Sequence, residues 1–411
     1  MVGLVCGIQP SMARLKTAGL DDGCFLVKGD GKGVGLSSLL QKAGRERRIN
    51  GVQVGLEAPN ISHLLFADDS LIFSTANLEE VASVKQCLLL YERAAGQRMN
   101  FQKSAVSFSL SVSDDLKVSI QNFLGVSFVP FHERYLGIPT VAGKSKKMMF
   151  KRINDRLVSH MSGWQSKFLS KAGKLVLVKA VAQAIPTYAM NVFRLPKGVC
   201  RSFQSKVSNY WWGDGKGKRG IHWGKWSLLC HNKKYGRLGF RDIQGFNQAL
   251  LAKTVWRIAT NPNSLVHTVL QAKYFPDSNW VVVRSCPGVS MIWSSLLWGR
   301  DLLVNGLRWR VGKGESIKVW GDKWLPVPWN FQVVSPRSGN PNLMVSDLPT
   351  QHGMWNVPLV ESLFLPHEVE TILTIPLARP RYQDNIVWHY GKDGIYNVKS
   401  GVWLAMELRN K

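Results

Sequence analysis

The stretch Ile61-Ser-His-Leu-Leu-Phe-Ala-Asp-Asp-Ser-Leu-Ile-Phe-Ser74 sets two adjacent carboxylates, Asp68 and Asp69, between two short apolar runs. Each run predicts a strand, and their closeness predicts a hairpin. A tight hairpin loop favours Asn-Gly or Asp-Gly, because its turn needs positive φ without a steric penalty. Asp-Asp lacks that glycine and places like charges side by side, so it indicates either an acidic surface turn or a functional pair. Paired carboxylates can bind the divalent metals of phosphoryl-transfer sites.

The segments around this hairpin predict an α+β unit, in which an antiparallel sheet carries helices on one face. Asn77 followed by Glu80 is typical of a helix start, and Gly96 is a suitable end for that helix. The remaining predicted elements are a helix ending near Ala43, a strand over Met99–Phe108, a helix over Ser113–Phe123 and a last strand over Tyr135–Ile138 closed by Pro139.

The 411 residues carry 53 Lys+Arg against 27 Asp+Glu, a formal net charge of +26 that is unevenly distributed. Residues 144–241 hold 22 Lys+Arg against 2 Asp+Glu, which leaves +20 in that segment alone. Such a block repels itself unless a polyanion is near, so nucleic acid is the expected partner. An anionic membrane surface is the competing interpretation, but no run approaches the roughly 18 apolar residues of a membrane span.

This basic segment has a helical pattern. Its first helix carries an apolar stripe from Phe150 to Trp164 with Lys147, Lys151 and Arg152 between the apolar positions. A second helix is expected over Lys171–Ala184 and a third over Gly198–Trp212. On the second helix we expect the side chains of Lys171, Lys174 and Lys179 to be exposed. These basic faces are either solvated surface or a surface for nucleic acid.

Residues 242–411 form a tryptophan-rich C-terminal region of mixed structure, and 15 of the 16 Trp lie after residue 200. Two hairpins are expected there, one joining Arg308–Val311 to Ser316–Trp320 and one joining Trp388–Gly391 to Gly394–Val398. Tryptophan at strand spacing favours the core, while tryptophan near Lys and Arg can also stack on nucleic-acid bases.

The six cysteines lie far apart and form no C-x-x-C pair, so neither a disulfide framework nor a zinc knuckle is supported. Cys230-His231 is a weak candidate metal pair. Scattered reduced thiols and the lack of a signal peptide predict a nuclear or cytoplasmic, intracellular protein. Residues 1–34 do not resemble the rest of the chain, and we expect this segment to be disordered. At its end, Gly29-Asp-Gly-Lys-Gly-Val-Gly35 lacks the context of a phosphate loop and predicts a flexible linker.

The chain resembles the reverse transcriptases of plant non-LTR (LINE-type) retrotransposons from Gly35 to its C-terminus. The resemblance rests on the order and spacing of several short segments, each weak alone. They are His63–Ser70, Tyr135-Leu-Gly-Ile-Pro139, Gly163-Trp164, Leu169–Lys174, Trp223-Gly-Lys-Trp226, Gly239-Phe-Arg-Asp242, Trp309-Arg-Val-Gly312, Ile317-Lys-Val-Trp320 and Trp324-Leu-Pro326.

This resemblance implies an RNA-directed DNA polymerase that acts on RNA, DNA and deoxynucleotides with Mg²⁺, or alternatively Mn²⁺. Asp68 and Asp69 would be catalytic and metal-binding. Nucleic acid would be bound by Phe66, Tyr135, Gly137, Lys147, Lys151, Arg152, Lys171, Lys174 and Lys179. Four segments are implied: the unmatched 1–34, a partial palm over 35–143, a thumb-like connection over 144–241, and a C-terminal region over 242–411 that ends before the family's zinc-binding and ribonuclease H tail.

One expected carboxylate is missing from this pattern. The family places a further aspartate on an upstream strand, and the fingers that hold template and nucleotide also precede it; neither is recognisable here. Since two metals need ligands from both sides, we expect the chain to be truncated at both ends and inactive alone unless that third carboxylate is supplied. The alternatives are a non-catalytic nucleic-acid-binding remnant and a product that does not fold stably.

Overall fold

The computed structural model describes residues 2–9, 31–55, 57–67, 69–109, 111–130, 134–135, 138–139, 150–164, 169–213, 220–231, 236–276, 279–283, 289–327, 330–338, 340–350, 353–377 and 382–410. The fold is α+β, as the sequence predicts. The chain divides into two compact units. The first comprises residues 1–144 with 261–283, and the second comprises residues 145–260 with 284–411. The division into four sequence segments stays a prediction.

The first unit contains a five-stranded sheet in the order β2-β3-β1-β4-β5. All neighbouring strands are antiparallel except β4 and β5, which are parallel. The strands are β1 (Val2–Gln9), β2 (His63–Phe66), β3 (Asp69–Ser74), β4 (Arg98–Phe108) and β5 (Ser127–Phe128). A separate antiparallel pair joins β6 (Arg134–Tyr135) to β7 (Ile138–Pro139).

Strand β1 corrects the expectation for the N-terminal segment. Residues Val2–Gln9 pair with β3 on one side and with β4 on the other, so they are central to the sheet. The expected disorder is therefore wrong for these residues, because their alternating backbone groups complete two hydrogen-bonded ladders. Residues 31–34 begin helix α1 (Gly31–Arg45), so the expected disorder is wrong for them too. Residues 10–30 lie outside the described part of the chain.

Helices cover one face of this sheet. They are α1 (Gly31–Arg45), α2 (Leu78–Ala95) and α3 (Asp114–Leu124), with α10 (Leu265–Tyr274) also in the first unit. Asn77 caps α2 by accepting the Glu80 backbone N–H at 2.7 Å, and Gly96 ends it at φ 64°. Leu40 and Leu88 are fully buried against Ile72 and Val106 of the sheet. Along β3 the residues alternate between half-buried and buried, which is the pattern of a sheet with one packed face.

The second unit is mostly helical. Its helices are α4 (Lys151–Ser162), α5 (Lys171–Ala180), α6 (Thr187–Met190), α7 (Lys197–Trp212), α8 (Trp226–Leu229), α9 (Ile243–Thr260), α11 (Met291–Val304), α12 (Val357–Leu363), α13 (Pro366–Thr374) and α14 (Val398–Asn410). Short 3₁₀ turns cover Ala182–Ala184 and Val345–Asp347. The second helix of the basic segment therefore ends at Ala180, earlier than expected.

Helix α9 is central to this unit, packing against α11 and α14. The fully buried Asn247 donates to the backbone oxygens of Met190 and Phe193, both at 2.9 Å, and accepts from the Leu195 N–H at 2.8 Å. The Asn247 side chain thus provides hydrogen-bond partners for backbone groups of the turn that follows α6. Because its own polar atoms are paired in return, this amide can be fully buried in an apolar core.

The two hairpins expected near the C-terminus are wrong. Strand β8 (Leu307–Arg310) pairs antiparallel with β9 (Asn385–Trp388), far along the chain, and Val398 already begins helix α14. Asp384 just before β9 accepts the backbone N–H groups of Gly312 and Gly314, at 2.7 and 2.8 Å. The Asp384 carboxylate therefore fixes residues 312–314 as a loop. This segment was expected to connect the two strands of a hairpin.

Candidate functional site

The hairpin that carries the carboxylates is as tight as the sequence predicts. Phe66 pairs directly with Asp69, so only two residues connect the strands, and Ala67 is the one of them that the structure describes. Ala67 has φ 50°, in the left-handed region that disfavours residues with a Cβ. A non-glycine residue there costs about 1 kcal/mol or more, and such strain is typical of functional turns. Asp68 itself lies outside the described residues.

Asp69 opens strand β3 between two neighbours, Phe66 of β2 and Gly7 of β1. Its side chain is half-buried. Strand β1 therefore occupies the position beside the carboxylate strand, and its sequence, Val2-Gly-Leu-Val-Cys-Gly-Ile-Gln9, contains neither Asp nor Glu. The strand that lies nearest in the sheet thus supplies no third carboxylate.

Phe66 and His63, both on strand β2, differ in their surroundings. The Phe66 ring is 48% exposed, so it is available to a ligand and does not fill the core under the sheet. His63 lies 2.9 Å from the Ser37 hydroxyl through Nε2 and 2.9 Å from the Ser62 hydroxyl through Nδ1. Burial lowers the pKa of His63. Both ring nitrogens have protein partners, so His63 supports the hairpin and is not available to bind a metal.

Few of the described side chains at this hairpin could bind a metal. In the part of the chain that the structure describes, no group of three His, Cys, Asp or Glu side chains is arranged to hold a metal ion. Asp68 and Asp69 stay the predicted ligands, and their metal binding stays a prediction. Tyr135 is the last residue of β6, and only its backbone is described. Gly137 lies outside the described residues.

The predicted nucleic-acid-binding cations of the second unit separate into two groups. Lys151 and Arg152 begin helix α4, and both side chains are exposed. Exposure fits both a solvated surface and a surface for nucleic acid, so the nucleic-acid role of Lys151 and Arg152 stays a prediction. Lys147 lies outside the described residues.

Lys171, which is exposed as expected, and Lys174 both contact the C-terminal end of helix α7. Lys171 Nζ donates to the Trp211 carbonyl at 3.1 Å, and Lys174 Nζ donates to the Gly213 carbonyl at 2.6 Å. Because the last carbonyls of a helix lack partners within it and carry partial negative charge, a lysine there is stabilising. Lys174 is only 4% exposed, so the expectation of an exposed side chain is wrong for it.

Aromatic rings complete the surroundings of these two lysines. Lys171 Nζ lies 5.3 Å from the Trp211 ring centroid, and Lys174 Nζ lies 5.7 Å from that of Tyr210, both within the range of cation–π attraction. Lys179 is half-buried, and its Nζ donates to the Leu238 carbonyl at 2.5 Å. All three lysines therefore have structural contacts, and their nucleic-acid role stays a prediction.

The candidate metal pair Cys230-His231 is unfavourable. Burial, with a further contribution from the negative charge of Asp242, raises the pKa of the Cys230 thiol to about 12. A metal binds the thiolate, which this environment disfavours. The same causes raise the pKa of Cys200 to about 11. Among the described residues, helices long and apolar enough to cross a bilayer do not occur.

Comparison with known proteins places the chain among plant sequences. No family model matches it. The chain is 36% identical over 193 residues to the Arabidopsis thaliana protein named "Putative ribonuclease H protein At1g65750", a match that covers 46% of this chain and 31% of that protein. The matched stretch thus spans less than a third of that relative.

A shorter relative is covered almost completely. Over 143 residues the chain is 42% identical to "Uncharacterized mitochondrial protein AtMg00310" of Arabidopsis thaliana, which corresponds to 34% of this chain and 93% of that protein. The identity and this coverage show a common family. The chain therefore belongs to the family of the uncharacterized mitochondrial protein AtMg00310.

Proposed function

We propose that this chain derives from a retroelement reverse transcriptase and binds nucleic acid through residues 144–241 without synthesising DNA on its own. The observation that carries the binding half of the proposal is the local charge of +20 in that segment. Lys151 and Arg152 are exposed within it and supply cations that are not used by the fold. Neutralising phosphates releases bound counterions, which drives association with any nucleic acid.

The retroelement origin is supported from two sides. The strained two-residue loop between β2 and β3 is compatible with the catalytic hairpin that the sequence resemblance implies. A relative named a putative ribonuclease H protein supports a nucleic-acid substrate for the family. Neither observation requires polymerase activity of this chain.

The proposed lack of activity rests on the carboxylates. A polymerase site for two Mg²⁺ ions, or Mn²⁺, needs acidic ligands on both sides of the metals. Asp68 and Asp69 would supply one side, and β1, which pairs with their strand, has no acidic residue. When bound, the metals would activate the primer hydroxyl and neutralise the reacting phosphate. Losing one hydrogen-bond donor to a developing oxyanion costs about 10²–10³ in rate, and we expect the loss of a metal ligand to be at least as severe.

Two measurements test this proposal. The first is primer extension on an RNA template with Mg²⁺ and then Mn²⁺, by the purified chain and by Asp68→Ala. We expect no extension by either protein. Extension by the wild type that disappears in Asp68→Ala would refute the inactivity and establish the polymerase.

The second measurement is duplex binding as a function of salt, by fluorescence anisotropy. If about eight phosphates are contacted, affinity should fall by roughly 10⁴ between 50 and 200 mM salt. Asp68→Ala should bind like the wild type, because the carboxylate has no part in binding phosphates. An affinity that does not change with salt would refute binding by the basic segment.

A further inference from the structure

Trp223 is the most exposed large apolar side chain among the residues that the structure describes, with 81% of its surface open to solvent. Other tryptophans of the same unit behave in the opposite way: Trp324 and Trp388 are fully buried. An indole ring is normally placed where its large apolar surface leaves water. Tryptophan is enriched at interfaces, so a ring left this exposed is a candidate contact for a partner.

The residue before Trp223 contacts the end of helix α7. The His222 ring stacks on Trp212, the last residue of α7, with centroids 6.1 Å apart and planes 30° apart. Ile221, on the other side of His222, is 71% exposed. His222, which is itself exposed, thus contacts helix α7 through its ring, while Ile221 and Trp223 on either side of it face solvent.

The chain on either side of Trp223 is basic in sequence, and this composition favours nucleic acid as the partner. Residues 214–241 contain eight Lys+Arg against one Asp+Glu, and Lys225, two residues after Trp223, is exposed. An aromatic ring among cations is the composition of grooves that bind single strands, where bases stack on the ring and cations bind phosphates. Every base has a π face, so such a site tolerates any sequence.

Two other partners fit this surface less well. Membrane surfaces are bound by amphipathic helices, whereas residues 220–225 are not helical. A second copy of the chain would bring two strongly basic segments together, and interface cores are depleted of lysine. Single-stranded nucleic acid satisfies both the indole and the charge.

We propose that Trp223 is a stacking platform for an unpaired base of single-stranded nucleic acid, with Lys225 binding the adjacent phosphate. This inference rests on the proposed nucleic-acid binding and adds a preference for single strands. Duplex bases are already stacked on each other, so the indole contributes nothing to duplex binding.

The test compares a single-stranded oligonucleotide with its duplex by fluorescence anisotropy at constant salt. In Trp223→Ala we expect the single-strand Kd to rise by about tenfold or more, while the duplex Kd stays within about twofold. Trp223→Phe keeps a stacking ring and should recover most of the affinity. Tyr382→Ala removes another exposed aromatic side chain of the same unit, 66% exposed, and should change neither Kd.

The outcomes separate this inference from the proposed function. Salt-dependent binding by the wild type with an unchanged single-strand Kd in Trp223→Ala overturns the stacking platform but leaves the proposed function standing. Absence of binding to either oligonucleotide overturns both. Loss of binding to phosphatidylserine vesicles in Trp223→Ala, with the single-strand Kd unchanged, overturns the inference in favour of a membrane partner.

Discussion

Two regions carry the proposed chemistry: the hairpin between β2 and β3, and the basic segment 144–241. They differ in how many residues share it. At the hairpin, two adjacent residues would carry any activity, and their value depends on where each oxygen lies. In the basic segment, 22 Lys and Arg side chains would share the proposed binding of phosphates, so the loss of one should weaken it only slightly. A carboxylate site therefore fails when one ligand is missing, whereas a phosphate-binding surface weakens in small steps.

The structure changes this comparison in one respect, because the cations are not equivalent. Lys151 and Arg152 are exposed, while Lys174 is buried and donates to the Gly213 carbonyl. Net charge therefore counts side chains that stabilise the fold together with those that can reach a phosphate. Variants that separate the two groups test the comparison directly.

The largest effect is expected for Lys174→Met. The substitution removes the ammonium from a buried carbonyl at the end of α7, and a lost hydrogen bond of this charged type costs about 2–3 kcal/mol of unfolding free energy. Lys151→Met, at an exposed position, should stay within about 0.5 kcal/mol of the wild type. Urea unfolding followed by tryptophan fluorescence measures both, and equal stabilities of the two variants would show that Lys174 is not structural.

Nucleic-acid binding should respond to the exposed pair instead. In the double variant Lys151→Ala with Arg152→Ala, we expect the slope of log affinity against log salt to become shallower by about 2, and affinity to fall roughly tenfold. Lys174→Met should leave the slope unchanged at conditions where it is folded. A slope that changes in Lys174→Met and not in the double variant would reverse the assignment of the two groups.

Strain at the hairpin predicts a smaller effect in the first unit. Ala67→Gly relieves a positive φ of 50° and should stabilise the protein by about 0.5–1 kcal/mol, after the entropy lost by glycine on folding is subtracted. Ala82→Gly, in the second turn of helix α2, is the control and should destabilise by about 1 kcal/mol. Urea unfolding at neutral pH compares them, and destabilisation by Ala67→Gly would contradict the strained turn.

Local signals in the sequence predicted the elements that depend on neighbouring residues. The hairpin follows from two apolar runs and a short loop, and the ends of α2 follow from Asn77 and Gly96, which both make the expected caps. The start and end of α7 were also predicted to within one residue. In each case the residues that determine the structure lie within one or two turns of it.

Long-range contacts explain the predictions that were wrong. Strand β8 takes its partner from β9, so no local pattern around Gly312 could reveal the pairing. The N-terminal strand gains its ladders from β3 and β4, which lie far along the chain. Burial of Lys174 depends on a carbonyl at Gly213, and a lysine at helical spacing gives no sign of such a partner. The roles of Asp68 and Asp69 stay predictions from the sequence.

The smallest expected effect is a pH dependence of the protein's stability. It arises from His63, which supports the hairpin. Burial lowers the pKa of His63 below its ordinary value of 6.5, so the folded state binds fewer protons than the unfolded state. Stability contributed by neutral His63 is therefore complete above pH 6.5 and decreases as the pH falls below it. We expect the wild type to be less stable at pH 5.5 than at pH 7.5, and His63→Gln to show a smaller decrease.

Part of the decrease should persist in His63→Gln, because burial and the nearby Arg308 also lower the pKa of His389 in the second unit. His389→Gln therefore serves as the matched control and should remove the other part. Urea unfolding at the two pH values measures both contributions. An unchanged pH dependence in His63→Gln would mean that the ring next to Ser37 is already solvated, and that the hairpin gains no stability from a neutral histidine.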